Sequence, residues 1–98
     1  MITNDTYKKA IEHYGIKAQL EKTIEEIDEL KKEIKDFLNG SGNRENMLEE
    51  LADVYNMNRQ LQIIMSFDDI DINRVATHKM KRTLDRIDKE IKESDNDD

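Results

Sequence analysis

The chain has 98 residues, a length that corresponds to one domain at most. Its composition is 40% charged, with no proline and three glycines, which favours helices over strands. The net charge of −7 argues against non-specific nucleic-acid binding, and the absence of cysteine excludes disulfides and thiolate metal ligands. No apolar run approaches the ~20 residues that span a membrane, so we expect a cytoplasmic protein.

The first half of the chain predicts two helices. The first runs from about Asp5 to His13, with Asn4 or Asp5 as its N-cap and Gly15 ending it. The second runs from Ile16 to Leu38, and residues 39–42 (Asn-Gly-Ser-Gly) break it. Apolar residues recur along this second helix in steps of three and four, which predicts an inward-facing stripe formed by Ile16, Leu20, Ile24, Ile27, Leu30, Ile34 and Phe37 or Leu38.

The second half predicts two more helices and a tail. Asn43 is a good cap for the third helix, which reaches about Met65. The fourth runs from about Ile72 to Lys92, capped by Asp69 or Asp71, with an inner side formed by Val75, Met80, Leu84, Ile87 and Ile91. Residues 1–93 form the predicted domain, and residues 94–98 form an acidic tail that we expect to be disordered.

Pairs of carboxylates occur in the second and third helices. Glu26 and Glu29 are three residues apart, as are Glu50 and Asp53, and residues at this spacing are neighbours on a helix surface. The connecting loop is short, so the two helices are predicted to pack antiparallel and to bring the pairs face to face. Glu26 and Glu50 fall at the edges of the apolar stripes, where desolvating an unpaired charge is costly.

A hard dication with oxygen ligands would relieve the repulsion among these carboxylates. Mg²⁺ is usually held by a few carboxylates, waters and phosphate oxygens, so the pattern predicts a Mg²⁺ site, at which Mn²⁺ can also bind. The alternative is a solvated acidic face, because acidic pairs at this spacing arise often by chance in so charged a chain. The residues alone leave both interpretations open.

The spacing and the amino-acid sequences of these motifs resemble those of a known superfamily. Residues 25–30 (EEIDEL) and 49–54 (EELADV) are similar to the two acidic motifs of the all-alpha nucleoside triphosphate pyrophosphohydrolases, which include the MazG proteins. The twenty residues between Glu29 and Glu50 lie within the family's usual interval. Residues 19–22 and 79–87 also resemble short, phage-type members, so the likeness covers roughly residues 10 to 91. Asp28 departs from the pattern, since family members more often have a small or apolar residue there.

The resemblance implies a fold, a reaction and a set of site residues. The fold would be an all-α, four-helix MazG-like bundle completed by homo-oligomerisation, as a dimer or tetramer. Metal-activated water would attack a nucleoside triphosphate and release a monophosphate and pyrophosphate. The implied Mg²⁺ ligands are Glu26, Glu29, Glu50 and Asp53; Glu26 would also take part in catalysis, with Glu25 and Glu49 as further candidates. The implied phosphate-binding residues are Lys79, Arg82 and Arg86, for which a solvated basic face is the alternative.

Other functions and substrates stay open at this point. A relative without activity could bind metal or nucleotide and regulate a partner, and a structural interaction module could carry acidic pairs for solubility alone. Phosphoribosyl-ATP is a second substrate candidate, because Lys22 with Glu25 and Glu26 also fits that branch of the superfamily. We expect neither nucleic acid nor a membrane as a partner.

Overall fold

Residues 1–96 form four α-helices. The structure, a computed structural model, describes residues 1–96 and assigns no strand within them. The helices are α1 (Asn4–Tyr14), α2 (Ile16–Leu38), α3 (Arg44–Ile64) and α4 (Asp69–Asn96). The all-α prediction is therefore confirmed. The chain divides into two compact units, Met1–Ser66 and a second unit that begins at Phe67, and each is described by itself.

The N-terminal cap of α1 differs from the prediction. Thr3, not Asn4 or Asp5, occupies the N-cap position, and its backbone N–H donates to Thr6 Oγ1 at 3.4 Å. Its extended backbone places Thr3 just outside the first turn, where this contact satisfies one of the free amide groups. Gly15 then joins α1 directly to α2 with a φ of 93°, a conformation that side chains disfavour.

The predicted bounds of α2 are confirmed, and α3 ends one residue before its predicted end. The loop between them makes a close turn, because a Cβ on Gly42 would lie 2.8 Å from the backbone nitrogen of Phe37. Asn43 caps α3 as predicted, since its side chain accepts from the Asn46 N–H at 2.8 Å.

The helix contact in the first unit is mostly polar. Gln19, Thr23, Glu26, Gln60 and Gln62 are buried, and the buried apolar residues are Tyr7 and Met57. The predicted inward stripe of α2 is wrong in part, because the side chains of Ile24, Ile27, Ile34 and Phe37 are 44–62% exposed. The helix turns its glutamine–threonine–glutamate side toward α3, where Gln19 donates to Gln60 across the contact and the Thr23 hydroxyl donates to the Gln19 carbonyl within α2.

The described part of the second unit is one long helix and the turn before it. Asp68, not Asp69 or Asp71, caps α4, because its Oδ1 accepts from the Asp71 N–H at 2.8 Å. The helix continues to Asn96, four residues beyond its predicted end at Lys92, while Asp97 and Asp98 of the predicted acidic tail lie outside the described residues. The five side chains expected on its inner side are 42–56% exposed.

No helix within residues 1–96 has the length and apolar character that a membrane crossing requires.

Candidate metal centre

Three of the four predicted metal ligands come together between α2 and α3. Glu26, Glu29 and Glu50 each offer a carboxylate oxygen, and these three oxygens lie within 4.8 Å of one another. Glu26 and Glu29 lie on adjacent turns of α2, and Glu50 lies on α3 opposite them. Gln19 hydrogen-bonds Gln60 further along the same contact, so the two helices run antiparallel, as predicted.

Glu26 is the most enclosed of these carboxylates, with only 6% of the residue exposed. Its Oε1 lies 3.0 Å from the Nζ of Lys22, one turn earlier on α2. Its Oε2 is buried and has no hydrogen-bond partner among the described residues. Burying a carboxylate oxygen without a hydrogen-bond donor lowers the free energy of unfolding, and a donor or a cation at Glu26 Oε2 would remove this cost.

Lys22 supplies positive charge at this end of the cluster. Its Nζ also lies 3.9 Å from Glu25 Oε1, and about half of its side chain is exposed. A hydrogen bond to Glu26 raises the pKa of the Lys22 ammonium above its ordinary value, and the charges of Glu26, Glu25 and Glu29 raise it further. Lys22 therefore stays protonated and holds one oxygen of Glu26.

Glu50 lies in an electrostatically unfavourable position. Burial raises the pKa of its carboxyl above the ordinary value, and the negative charges of Glu29, Asp53 and Glu26 raise it further. Its Oε2, like that of Glu26, is buried and lacks a hydrogen-bond partner within residues 1–96. Two such oxygens on facing helices mark the place where a positive group would be stabilised most.

The three carboxylates fit a hard dication. Oxygen ligands are those that Mg²⁺ prefers, and ligand oxygens on one Mg²⁺ ion are at most about 4.2 Å apart, twice the usual metal–oxygen distance. The three oxygens lie within 4.8 Å of one another, about 0.6 Å beyond that upper value, so a bound ion would require the side chains to move closer. Exposed Glu29 would leave room for waters or phosphate oxygens beside two enclosed carboxylates.

The remaining acidic candidates lie outside this cluster. Asp53 is exposed, and its shorter side chain acts on Glu50 through its charge. Glu25 and Glu49 are also exposed, each next in sequence to an enclosed carboxylate. A metal-binding role for Asp53 and a catalytic role for the other two stay predictions.

A second set of polar contacts beside the carboxylates was not expected from the sequence. The hydroxyl of buried Tyr7 donates to Asn56 Oδ1 at 2.8 Å and so ties α1 to α3. Gln19 Nε2 donates to Gln60 Oε1, and Gln60 Nε2 contacts the sulfur of Met57. The spacing of Gln19, Thr23 and Glu26 gives the signal, because these polar residues form their own stripe on one side of α2.

The predicted phosphate-binding residues lie on α4. Lys79, Arg82 and Arg86 share one exposed face of this helix, where Thr83 lies beside them. Their spacing of three and four residues places the three positive charges on consecutive turns.

Comparisons with protein-family models, with curated proteins and with solved structures found no match to this chain. The functional interpretation therefore depends on the residues of this chain, namely the converging carboxylates and the basic residues of α4.

Proposed function

We propose that this protein is a Mg²⁺-dependent pyrophosphohydrolase that cleaves nucleoside triphosphates to a monophosphate and pyrophosphate. The observation that supports it best is the convergence of Glu26, Glu29 and Glu50, with two buried oxygens that lack a hydrogen-bond donor. A buried acidic cluster without a cation would be strongly destabilising, whereas a metal ion would use those oxygens as ligands. Together with the resemblance of both acidic motifs, this arrangement favours a short, MazG-like member of the all-alpha pyrophosphohydrolases.

Each side chain has a proposed role in the reaction. When bound, Mg²⁺ polarises the phosphoanhydride and makes water a better nucleophile, and Mn²⁺ can replace it. Glu26, Glu29 and Glu50 hold the ion, with Asp53 as the fourth ligand. Exposed Glu25 and Glu49 orient the attacking water. Lys79, Arg82 and Arg86 bind the phosphates of the substrate by charge-assisted hydrogen bonds.

Glu50 also couples metal binding to proton release. Because its pKa is raised when no cation is present, Glu50 holds a proton more readily than a free glutamate does. A cation requires the ionised carboxylate, so metal affinity should increase with pH. This pH dependence is a consequence of the proposal that binding experiments can test without any substrate.

A structural interaction module is the second candidate, and one observation favours it. Large apolar side chains are exposed on both units, including Ile24 and Phe37 on α2 and Leu84 on α4. Contiguous exposed apolar surface usually marks an interface. We therefore propose that the chain forms a homo-oligomer, a dimer or a tetramer, whether or not it is an enzyme.

Pyrophosphate release separates the two candidates. The assay uses ribo- and deoxynucleoside triphosphates with Mg²⁺ or with EDTA, and compares the wild type with Glu50→Gln and Glu45→Gln. Glu45 is an exposed residue in the first turn of α3, so its variant is a control for the same chemical change. We expect metal-dependent release that Glu50→Gln abolishes and Glu45→Gln keeps. No release from any triphosphate, together with no effect of Mg²⁺ on thermal stability, would leave the interaction module.

A further inference from the structure

The exposed apolar residues of α4 form a narrow stripe. At about 100° per residue, Met80, Leu84, Ile87 and Ile91 lie within roughly 60° of one another around the helix. All four are 42–56% exposed. Their steps of four, three and four residues match the a and d positions of a heptad repeat, which is the pattern of helices that pair along a seam. The stripe is therefore suited to another helix with the same repeat.

Charges beside this stripe indicate which helix that is. The flanking e positions of the same heptad are Arg74, Lys81, Asp88 and Asp95, so they are positive in the first half of the helix and negative in the second. Neither Lys81 nor Asp88 forms an ion pair within residues 1–96, while Arg74 contacts Asp71 at 3.6 Å. If a second copy of α4 lies antiparallel to the first, the positive e positions of each helix lie opposite the negative e positions of the other.

We propose that α4 pairs antiparallel with the α4 helix of a second copy of this chain. In that arrangement a and d positions face each other, which places Leu84 against Ile87 and Met80 against Ile91 of the other copy. The e positions then meet e positions, so that Lys81 lies opposite Asp88, with Arg74 opposite Asp95 outside it. Each of these contacts occurs twice because the pair has two-fold symmetry.

A parallel pair would not use these charges. Parallel coiled coils bring g positions against e positions, which places Ala76 against Lys81, Thr83 against Asp88 and Glu90 against Asp95. Two of these contacts lack an opposite charge and the third is repulsive. The charge pattern thus selects the antiparallel orientation.

The proposed seam leaves the basic face of α4 free. Lys79, Arg82 and Arg86 lie at c and f positions, on the side of the helix away from the stripe. Pairing and phosphate binding therefore use different faces. The pairing does not depend on the proposed enzymatic function, and its test requires neither metal nor nucleotide.

Charge reversal tests the pairing in sedimentation equilibrium experiments on the full chain. Lys81→Glu places two glutamates against two aspartates, and Asp88→Lys places two lysines against two lysines. Since each variant changes two exposed attractive pairs into repulsive ones, the dissociation constant should rise about tenfold for either variant. Lys89→Glu and Asp85→Lys make the same charge changes at f and b positions and should keep the wild-type association.

Mixing the two variants gives the sharpest test. A Lys81→Glu chain and an Asp88→Lys chain have opposite charges at both e–e contacts, so an equimolar mixture should regain the wild-type association. A wild type of monomer mass at all concentrations would overturn the proposal. So would single variants that associate like the wild type, or a mixture that associates no better than its components.

Discussion

A metal ion should stabilise the first unit, because it would bind the folded arrangement of carboxylates and not the unfolded chain. The three converging carboxylates belong to Met1–Ser66. A ligand at a hundred times its dissociation constant adds about 2.7 kcal/mol to the free energy of unfolding. A domain of this size gains ~4–8 °C in Tm for each kcal/mol, so we expect Mn²⁺ or Mg²⁺ to raise Tm by roughly 10–20 °C.

Glu26→Gln is the perturbation that isolates this effect. The variant keeps the shape of the side chain but removes the charge of the most enclosed of the three proposed ligands. If metal binding weakens about 100-fold, as loss of key site residues can cause, the same metal concentration adds only about 0.4 kcal/mol. The Tm shift should then fall to roughly 2–3 °C.

The assay is thermal unfolding followed by circular dichroism with and without metal, with Kd measured separately by Mn²⁺ electron paramagnetic resonance. Glu21→Gln is the matched control, because Glu21 is an exposed glutamate on the same helix. A Tm shift in Glu26→Gln equal to that of the wild type would refute the assignment of this carboxylate as a ligand.

Three further predictions concern the same unit. In EDTA, Glu50→Gln should raise Tm, and the difference in Tm from the wild type should grow with pH. The pKa of Glu50 is raised in the folded state, so the wild type is most stable, relative to the variant, below the pKa of Glu50 in the unfolded chain, and it loses that stability as pH rises through the folded-state pKa. A Tm difference that stays constant from pH 4 to 8 would contradict this. Lys22→Met should tighten Mn²⁺ binding in calorimetry, because it removes a positive charge 3.0 Å from Glu26. Lys17→Met is the control and should leave the affinity unchanged, since it disrupts the exposed Lys17–Glu21 pair, which has the same spacing. Equal Mn²⁺ affinities in the two variants would exclude a role for Lys22 at the site. Tyr7→Phe should lower the free energy of unfolding by about 1 kcal/mol in urea titrations, since it leaves Asn56 Oδ1 without its donor, and an unchanged midpoint would show that this hydrogen bond contributes nothing.

The sequence predicts the helices well because their signals are local. Gly15, Gly40 and Gly42, together with the Asn43 cap, determine where α2 and α3 begin and end, and each of these signals needs only neighbouring residues. The predicted caps of α1 and α4 each lie one or more residues C-terminal to the observed caps, Thr3 and Asp68. Several side chains there can accept the same backbone N–H groups, and pattern alone does not choose among them.

The side of each helix that becomes buried was harder to predict. An apolar stripe shows that a helix packs against something, but it does not show whether the partner is in the same chain. In α2 the polar stripe of Gln19, Thr23 and Glu26 faces α3, and the apolar residues Ile24 and Ile27 stay exposed. The three carboxylates were nevertheless predicted, because a spacing of three residues and antiparallel helices are enough to bring them together.

The products of triphosphate hydrolysis test the central claim most directly. Phosphorus NMR of a reaction with Mg²⁺ and a nucleoside triphosphate distinguishes cleavage between the α- and β-phosphates from cleavage at the γ-phosphate. The proposed function predicts nucleoside monophosphate and pyrophosphate in equal amounts, with neither product formed in EDTA or by Glu50→Gln. Nucleoside diphosphate with inorganic phosphate, or no product from any triphosphate, would contradict it.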